Sequence, residues 1–196
     1  MPPLLTPIDV RLFWLINQHH LPLLDWFFLI ITNFGNGWVV TPILILIVIN
    51  RLPKRVWVKA IVCGTLCLAG SGLISSAIKK SVDRPRPAAL FATQTIPAVH
   101  VVGERLSAHS FPSGHTTTAF AAALLIGMLL GGWWWLGLIL AVLVGYSRVY
   151  LGAHFPFDTL AGAMLGSVFG FGVVVVFVRM RWLCIKPQKS SIQRND

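Results

Sequence analysis

Three short polar clusters interrupt an otherwise apolar chain, and they hold the residue types that handle phosphate. Lys79 to Pro87 reads KKSVDRPRP, Ser110 to His115 reads SFPSGH, and Ser147 to Asp158 reads SRVYLGAHFPFD. Lys79, Arg86 and Arg148 are the cations. A guanidinium grips phosphate through paired donors, and an ammonium adds a point charge. Ser113 and Gly114 stand just before the apolar run that begins at Thr116. They would add backbone N–H groups at a helix N-terminus, which is a ready anion site. Beside them are His115, His154 and Asp158. An imidazole can attack phosphorus or carry a proton. Asp158 follows His154 by four residues, one helical turn, so it can fix the imidazole tautomer and stabilise its cation. This set suffices for phosphoryl transfer without a metal. Asp83, Glu104 and Asp158 would make a poor magnesium site, so no metal and no cofactor are expected.

The three clusters must be brought together by the rest of the chain. Of 196 residues, 56% are hydrophobic and 11% charged. A soluble domain carries about 25% charged residues, so the composition indicates an integral membrane protein. The net charge of +10 does not point to nucleic acid. The charges sit in short clusters between apolar runs, as juxtamembrane anchors do. Cys63, Cys67 and Cys184 have neither disulfide nor zinc spacing and fit as small core residues.

The expected fold class is all-α, a polytopic bundle of six transmembrane helices preceded by an interfacial helix over Val10–Asn17. The expected spans are 21–34, 37–51, 56–78, 115–131, 132–148 and 157–179, within a single membrane domain over 1–196. The Pro-rich start does not resemble a cleaved signal peptide. Phe34-Gly35-Asn36-Gly37 is read as a turn between the first two spans. Asp25 should sit near the interface or bond a neighbouring helix. Gly70, Ser71, Gly72, Ser75 and Ser76 are read as plain helix packing, and Gly162, Gly166 and Gly170 as a close-packing face. Trp133, Trp134 and Trp135 read as an interfacial aromatic belt. Residues 180–196 form a basic, cytoplasmic tail.

Six spans would put both termini on one side. Ten of the sixteen Lys and Arg residues then fall on the terminal side, which makes it cytoplasmic. The three clusters land together on the outer face, each at a helix end. Taken singly, Lys79 and Arg148 would be snorkelling anchors and His154 a structural histidine. Their shared location argues for one site.

The segments Lys79-x6-Arg86-Pro87, Pro112-Ser113-Gly114-His115 and Ser147-Arg148-x5-His154-x3-Asp158 together resemble the three-part signature of the type 2 phosphatidic acid phosphatase (PAP2) superfamily. The match is complete and in order over about 80 residues, and the hydropathy pattern extends it over most of the chain. The resemblance implies a metal-independent lipid phosphatase. In it, His154 is the nucleophile that forms a phosphohistidine, Asp158 orients it, and His115 protonates the leaving oxygen. Lys79, Arg86, Ser113, Gly114 and Arg148 bind phosphate. Lys80 and Arg84 are candidates for headgroup contacts. His100, Glu104 and His109 fall in the intervening loop, and His19 and His20 read as interfacial.

The substrate should be a lipid phosphate whose chains stay among membrane lipids. Undecaprenyl diphosphate, phosphatidylglycerophosphate, phosphatidic acid and the lipid A 1-phosphate are the candidates. A bacterial inner membrane is the expected location, with the site facing the periplasm or exterior. No protein partner is implied. The rival readings are a lipid phosphotransferase, a haloperoxidase and, from another class, a non-catalytic lipid-binding or transport protein.

Overall fold

The computed structural model describes residues 6–93, 98–103, 105–130 and 134–179. These form eight helices: α1 (Pro7–Asn17), α2 (Pro22–Thr32), α3 (Gly37–Arg51), α4 (Trp57–Val82), α5 (Pro87–Leu90), α6 (Gly114–Leu130), α7 (Trp134–Tyr150) and α8 (Pro156–Arg179). No strand occurs among the described residues. Gly131, Gly132, Trp133, Glu104, Cys184 and the basic tail lie outside them.

The helix limits follow from local chemistry. Thr6 caps α1 by accepting from the Asp9 N–H at 3.2 Å, and Pro7 opens it. α4 runs 26 residues, about 39 Å at 1.5 Å per residue. It stops at Asp83, whose φ of 42° is left-handed, two residues before Pro85.

The first two expected spans are halves of one leg. α2 and α3 meet at a 3-10 turn, Asn33–Gly35, and are bent by 65°. The contacts around them fix the direction of travel. Tyr150, at the end of α7, donates its hydroxyl to Asp25 near the start of α2 at 2.9 Å. Gly35 at the bend abuts His115 and Val144. Leu44 in mid-α3 fills the space beside Gly64 of α4. The chain thus descends continuously through α2 and α3 and returns through α4. By length and composition α4 and α8 can each cross a membrane, and α2–α3 can as one broken span; α6 and α7, of 17 residues each, are apolar but shorter. The six expected spans are thus not confirmed: the first two form one bent pair, α2–α3, beside the helices α4, α6, α7 and α8.

This changes the placement of α1. Asp9 accepts a hydrogen bond from the backbone N–H of Phe157, at the start of α8. Arg179 closes α8 at its far end, the helix being 24 residues and about 36 Å long. Helix α1 and the end of α8 thus lie at opposite ends of the bundle; the expectation that both termini share one side falls on residues outside the described ones. α1 buries Asp9, Phe13 and Asn17 at successive turns and exposes Ile8, Leu12 and Leu15, as an interfacial helix should.

Helices α6 and α8 form the central seam. A Cβ on Gly162 would come 2.5 Å from the Ser113 carbonyl oxygen, and one on Gly170 would come 3.0 Å from that of Ala121. One on Gly166 would overlap the Thr117 carbonyl oxygen. The expected glycine face is the close-packing surface. In the α4 group, Gly70 packs on Phe169, Ser71 and Ser75 are buried, Ser76 is exposed, and Gly72 faces open space.

Candidate active site

The three polar clusters converge at the end of the bundle that carries α1. Backbone bonds stitch them together: Ser110 N–H to Arg84 C=O at 2.8 Å joins the first to the second, and Ser113 N–H to Asp158 C=O at 2.9 Å joins the second to the third, while His154 N–H to Arg148 C=O at 3.1 Å folds the third on itself. Each functional side chain therefore projects from a segment tied to a neighbouring cluster.

Lys79 stands in the last turn of α4. Its Nζ donates to the His109 carbonyl at 3.3 Å and would lie 3.9 Å from a Cβ placed on Gly114, the first residue of α6. Arg86, 7% exposed, uses Nε on the Ala108 carbonyl at 2.9 Å and Nη1 on that of Ala153 at 3.0 Å. Nη1 also lies 3.4 Å from His154 Nε2. Arg148 donates through Nη1 to Thr32 Oγ1 at 2.9 Å, while its buried Nε has no partner among the described residues. Ser75 Oγ, one turn before Lys79, is likewise buried without a partner and faces Gly114. Lys79, Arg86 and Arg148 interact electrostatically with one another and with His115. Converging cations, Arg86 buried and Lys79 and Arg148 half-buried, together with orphaned donors describe an anion site.

His154 is 2% exposed. Its Nδ1 lies 3.5 Å from Asp158 Oδ2 and 3.4 Å from Ser110 Oγ, and Ser110 Oγ donates to the same carboxylate oxygen at 2.5 Å. Asp158 Oδ2 also accepts from the Phe155 N–H at 2.9 Å. Burial, with Arg148 and Arg86 adding to it, pushes the imidazole down to about 3, against the upward pull of Asp158. The ring is therefore neutral around pH 7. Its Nδ1 faces a carboxylate and carries the proton, which leaves the Nε2 lone pair directed at the cations. His115, half-buried in the first turn of α6, rests on Gly35: a Cβ there would come 2.6 Å from its carbonyl oxygen.

Two residues assigned no role from sequence join this site. Ser110 bridges His154 and Asp158. Asp9 reaches it through Arg84, which is 1% exposed and pairs with Asp9 at 2.5 Å and with Asp158 on its other arm. Arg84 is thus a buried structural cation, not a headgroup contact. Lys80 is exposed. His109 pairs with Asp83 at the surface. His100 bonds Asp25 at 3.1 Å and stacks on His20 at 3.8 Å. Serine in a polar stretch was the only signal for Ser110, and Asp9 had none.

The sequence matches the family model described as the PAP2 superfamily over residues 59–182. It is 27% identical over 164 residues to the undecaprenyl-diphosphatase of Sulfolobus acidocaldarius, covering 83% of this chain and 75% of that protein. It is 30% identical over 156 residues to the phosphatidylglycerophosphatase B of Bacillus subtilis, covering 72% and 69%. The crystal structure of Aquifex aeolicus LpxE superimposes with a TM-score of 0.74 at 29% identity, covering 89% of this chain and 99% of that one. Agreement in signature, sequence and backbone over most of the chain means that the protein belongs to the PAP2 superfamily.

Proposed function

We propose that the protein hydrolyses a lipid phosphate or diphosphate through a phosphohistidine at His154, without a metal. The observation that carries this is the ring's two-sided environment. Nδ1 faces Asp158 and Ser110 while Nε2 lies 3.4 Å from Arg86 Nη1. In the first step Nε2 forms a bond to phosphorus, the bond from phosphorus to the leaving oxygen breaks, and His115 gives that oxygen a proton. In the second step water attacks phosphorus, His115 takes its proton, and the N–P bond breaks to return His154. Asp158 stabilises the positive ring between the steps. Lys79, Arg86, Arg148, Gly114 and Ser113 hold the phosphate and neutralise the charge that grows on it. Among the described residues no group of three or more His, Cys, Asp or Glu side chains is arranged to hold a metal.

One membrane domain carries the activity. Arg51, Lys54, Arg55, Lys59 and Arg179 lie on elements at the end away from the site, so that end is assigned to the cytoplasm and the site to the outer face of an inner membrane. A headgroup can then enter from the surface while its chains remain in lipid. Undecaprenyl diphosphate leads the substrates, with phosphatidylglycerophosphate, phosphatidic acid and lipid A 1-phosphate behind it.

The test is phosphate release from these four lipids by detergent-purified protein in EDTA, with His154→Ala as control. The expected result is release that survives EDTA and disappears in the variant. Release that continues in the folded variant would overturn the phosphohistidine route.

A further inference from the structure

We propose that Asp9 of α1 is a positioning residue for the reaction, acting on His154 through Arg84 and Asp158. This rests on the proposed role of His154. The contact chain is continuous. Asp9 Oδ2 pairs with Arg84 Nη2 at 2.5 Å, Arg84 Nη1 pairs with Asp158 Oδ1, and Asp158 Oδ2 faces His154 Nδ1 at 3.5 Å. The two carboxylates are fully buried and Arg84 is nearly so. The guanidinium carbon also sits over the Phe155 ring, 4.6 Å from its centroid. Asp9 Oδ1 holds the Phe157 N–H at 2.9 Å and so pins the start of α8, where Asp158 stands.

The charges explain why a second carboxylate is needed. Arg84 alone would compensate Asp158 and leave little negative charge to stabilise a positive His154. With Asp9 the buried trio carries a net −1, and Asp158 Oδ2 presents it to the imidazole. From the other side the ring meets Arg86 on the loop and Arg148 on α7, with Lys79 of α4 and His115 of α6 beside those cations. Removing one negative charge behind Asp158 should therefore disfavour the imidazolium. Two sequence-distant segments, α1 and the Lys79–Pro87 cluster, meet here for a reason that helix packing alone does not supply: a carboxylate in an apolar interface is costly unless paired.

The experiment compares the wild type with Asp9→Asn, Phe13→Ala and Arg84→Lys in steady-state hydrolysis across pH, normalised to folded protein. Asp9→Asn keeps an acceptor for Phe157 N–H and removes the charge. It should lower kcat about tenfold or more, leave KM within about threefold, and shift the acidic limb of the kcat profile to lower pH. Phe13→Ala loosens α1 without changing charge, so it should lower Tm and leave the pH profile in place. If Asp9→Asn does not fold, Arg84→Lys carries the test: the charge stays, the two-armed geometry goes, and kcat should fall at unchanged KM. The proposal is overturned if Asp9→Asn, or failing that Arg84→Lys, matches the wild type in kcat, or if Phe13→Ala moves the pH profile as Asp9→Asn does. An inactive wild type would instead reject the hydrolase reading.

Discussion

The two halves of this bundle are held together in opposite ways. At the site end, buried side chains of both charges pair across three segments: Asp9 on α1, Arg84 after α4 and Asp158 on α8, with the cations Arg86 and Arg148 beside them. In the other half the contact is backbone against backbone, with Gly166 and Gly170 letting α8 lie on the carbonyls of α6, and the core is Val40, Leu44, Cys67, Leu68, Ala121, Ala122 and Leu125. The first half is organised to accept a charged guest and the second to hold shape. Substitutions in the two halves should therefore fail differently: at the site end activity goes while the fold stays, and at the seam both go together.

The sharpest separation comes from His154→Ala. It should lower turnover about a thousandfold or more with a Tm near that of the wild type, measured by phosphate release and thermal unfolding. Gly166→Val is the counterpart. Its side chain would overlap the Thr117 carbonyl oxygen, so it should cost about 3 kcal/mol or more, read as a lowered Tm or failure to purify folded. Gly35→Ala lies where the halves meet. Its Cβ would press on His115 and Val144, so kcat should fall roughly tenfold with a smaller change in Tm, since a displaced catalytic group is felt strongly. Acidification makes a graded test. His154 sits at about 3 when folded, against an ordinary value of about 6.5. Between those values the unfolded chain takes up a proton that the folded one refuses. Stability is therefore full above pH 6.5 and falls as pH drops below it, by about 1.4 kcal/mol per unit at most from this group. Tm should decline over that window, and less so in His154→Ala. Lys80→Ala should be the smallest effect, within about twofold in kcat/KM, because the side chain is exposed.

What could be read from the chain divides along the same line. The all-helical class, the convergence of Lys79, Arg86, His115, Arg148, His154 and Asp158, and the glycine face of α8 were legible, because each is written in local spacing or residue type. Asp9 and Ser110 were not. Their roles arise from partners 75 and 48 positions away, Arg84 and Asp158, and no period or motif reports such a pair. Arg84 was misjudged for the same reason: a cation beside a motif looks available until its carboxylates are found. The bend between the first two apolar runs was illegible for another reason. Hydropathy measures length and polarity but not direction, so the Phe34–Gly37 segment between two apolar runs read as a reversal where the chain only bends by 65°.

The bent first leg has a consequence for insertion. On the proposed orientation, the first leg must send its leading flank across the bilayer. The charges ahead of the bend are Asp9, Arg11 and Asp25, which sum to −1, and those trailing it are Arg51, Lys54, Arg55 and Lys59, which sum to +4. The retained side is thus marked by the connector between α3 and α4. Asp9 would cross with the translocated flank and find Arg84 only after the second leg has delivered it to the same side. Closure of the catalytic end is in this sense a late event of assembly, completed when separately inserted segments exchange their charges for one another.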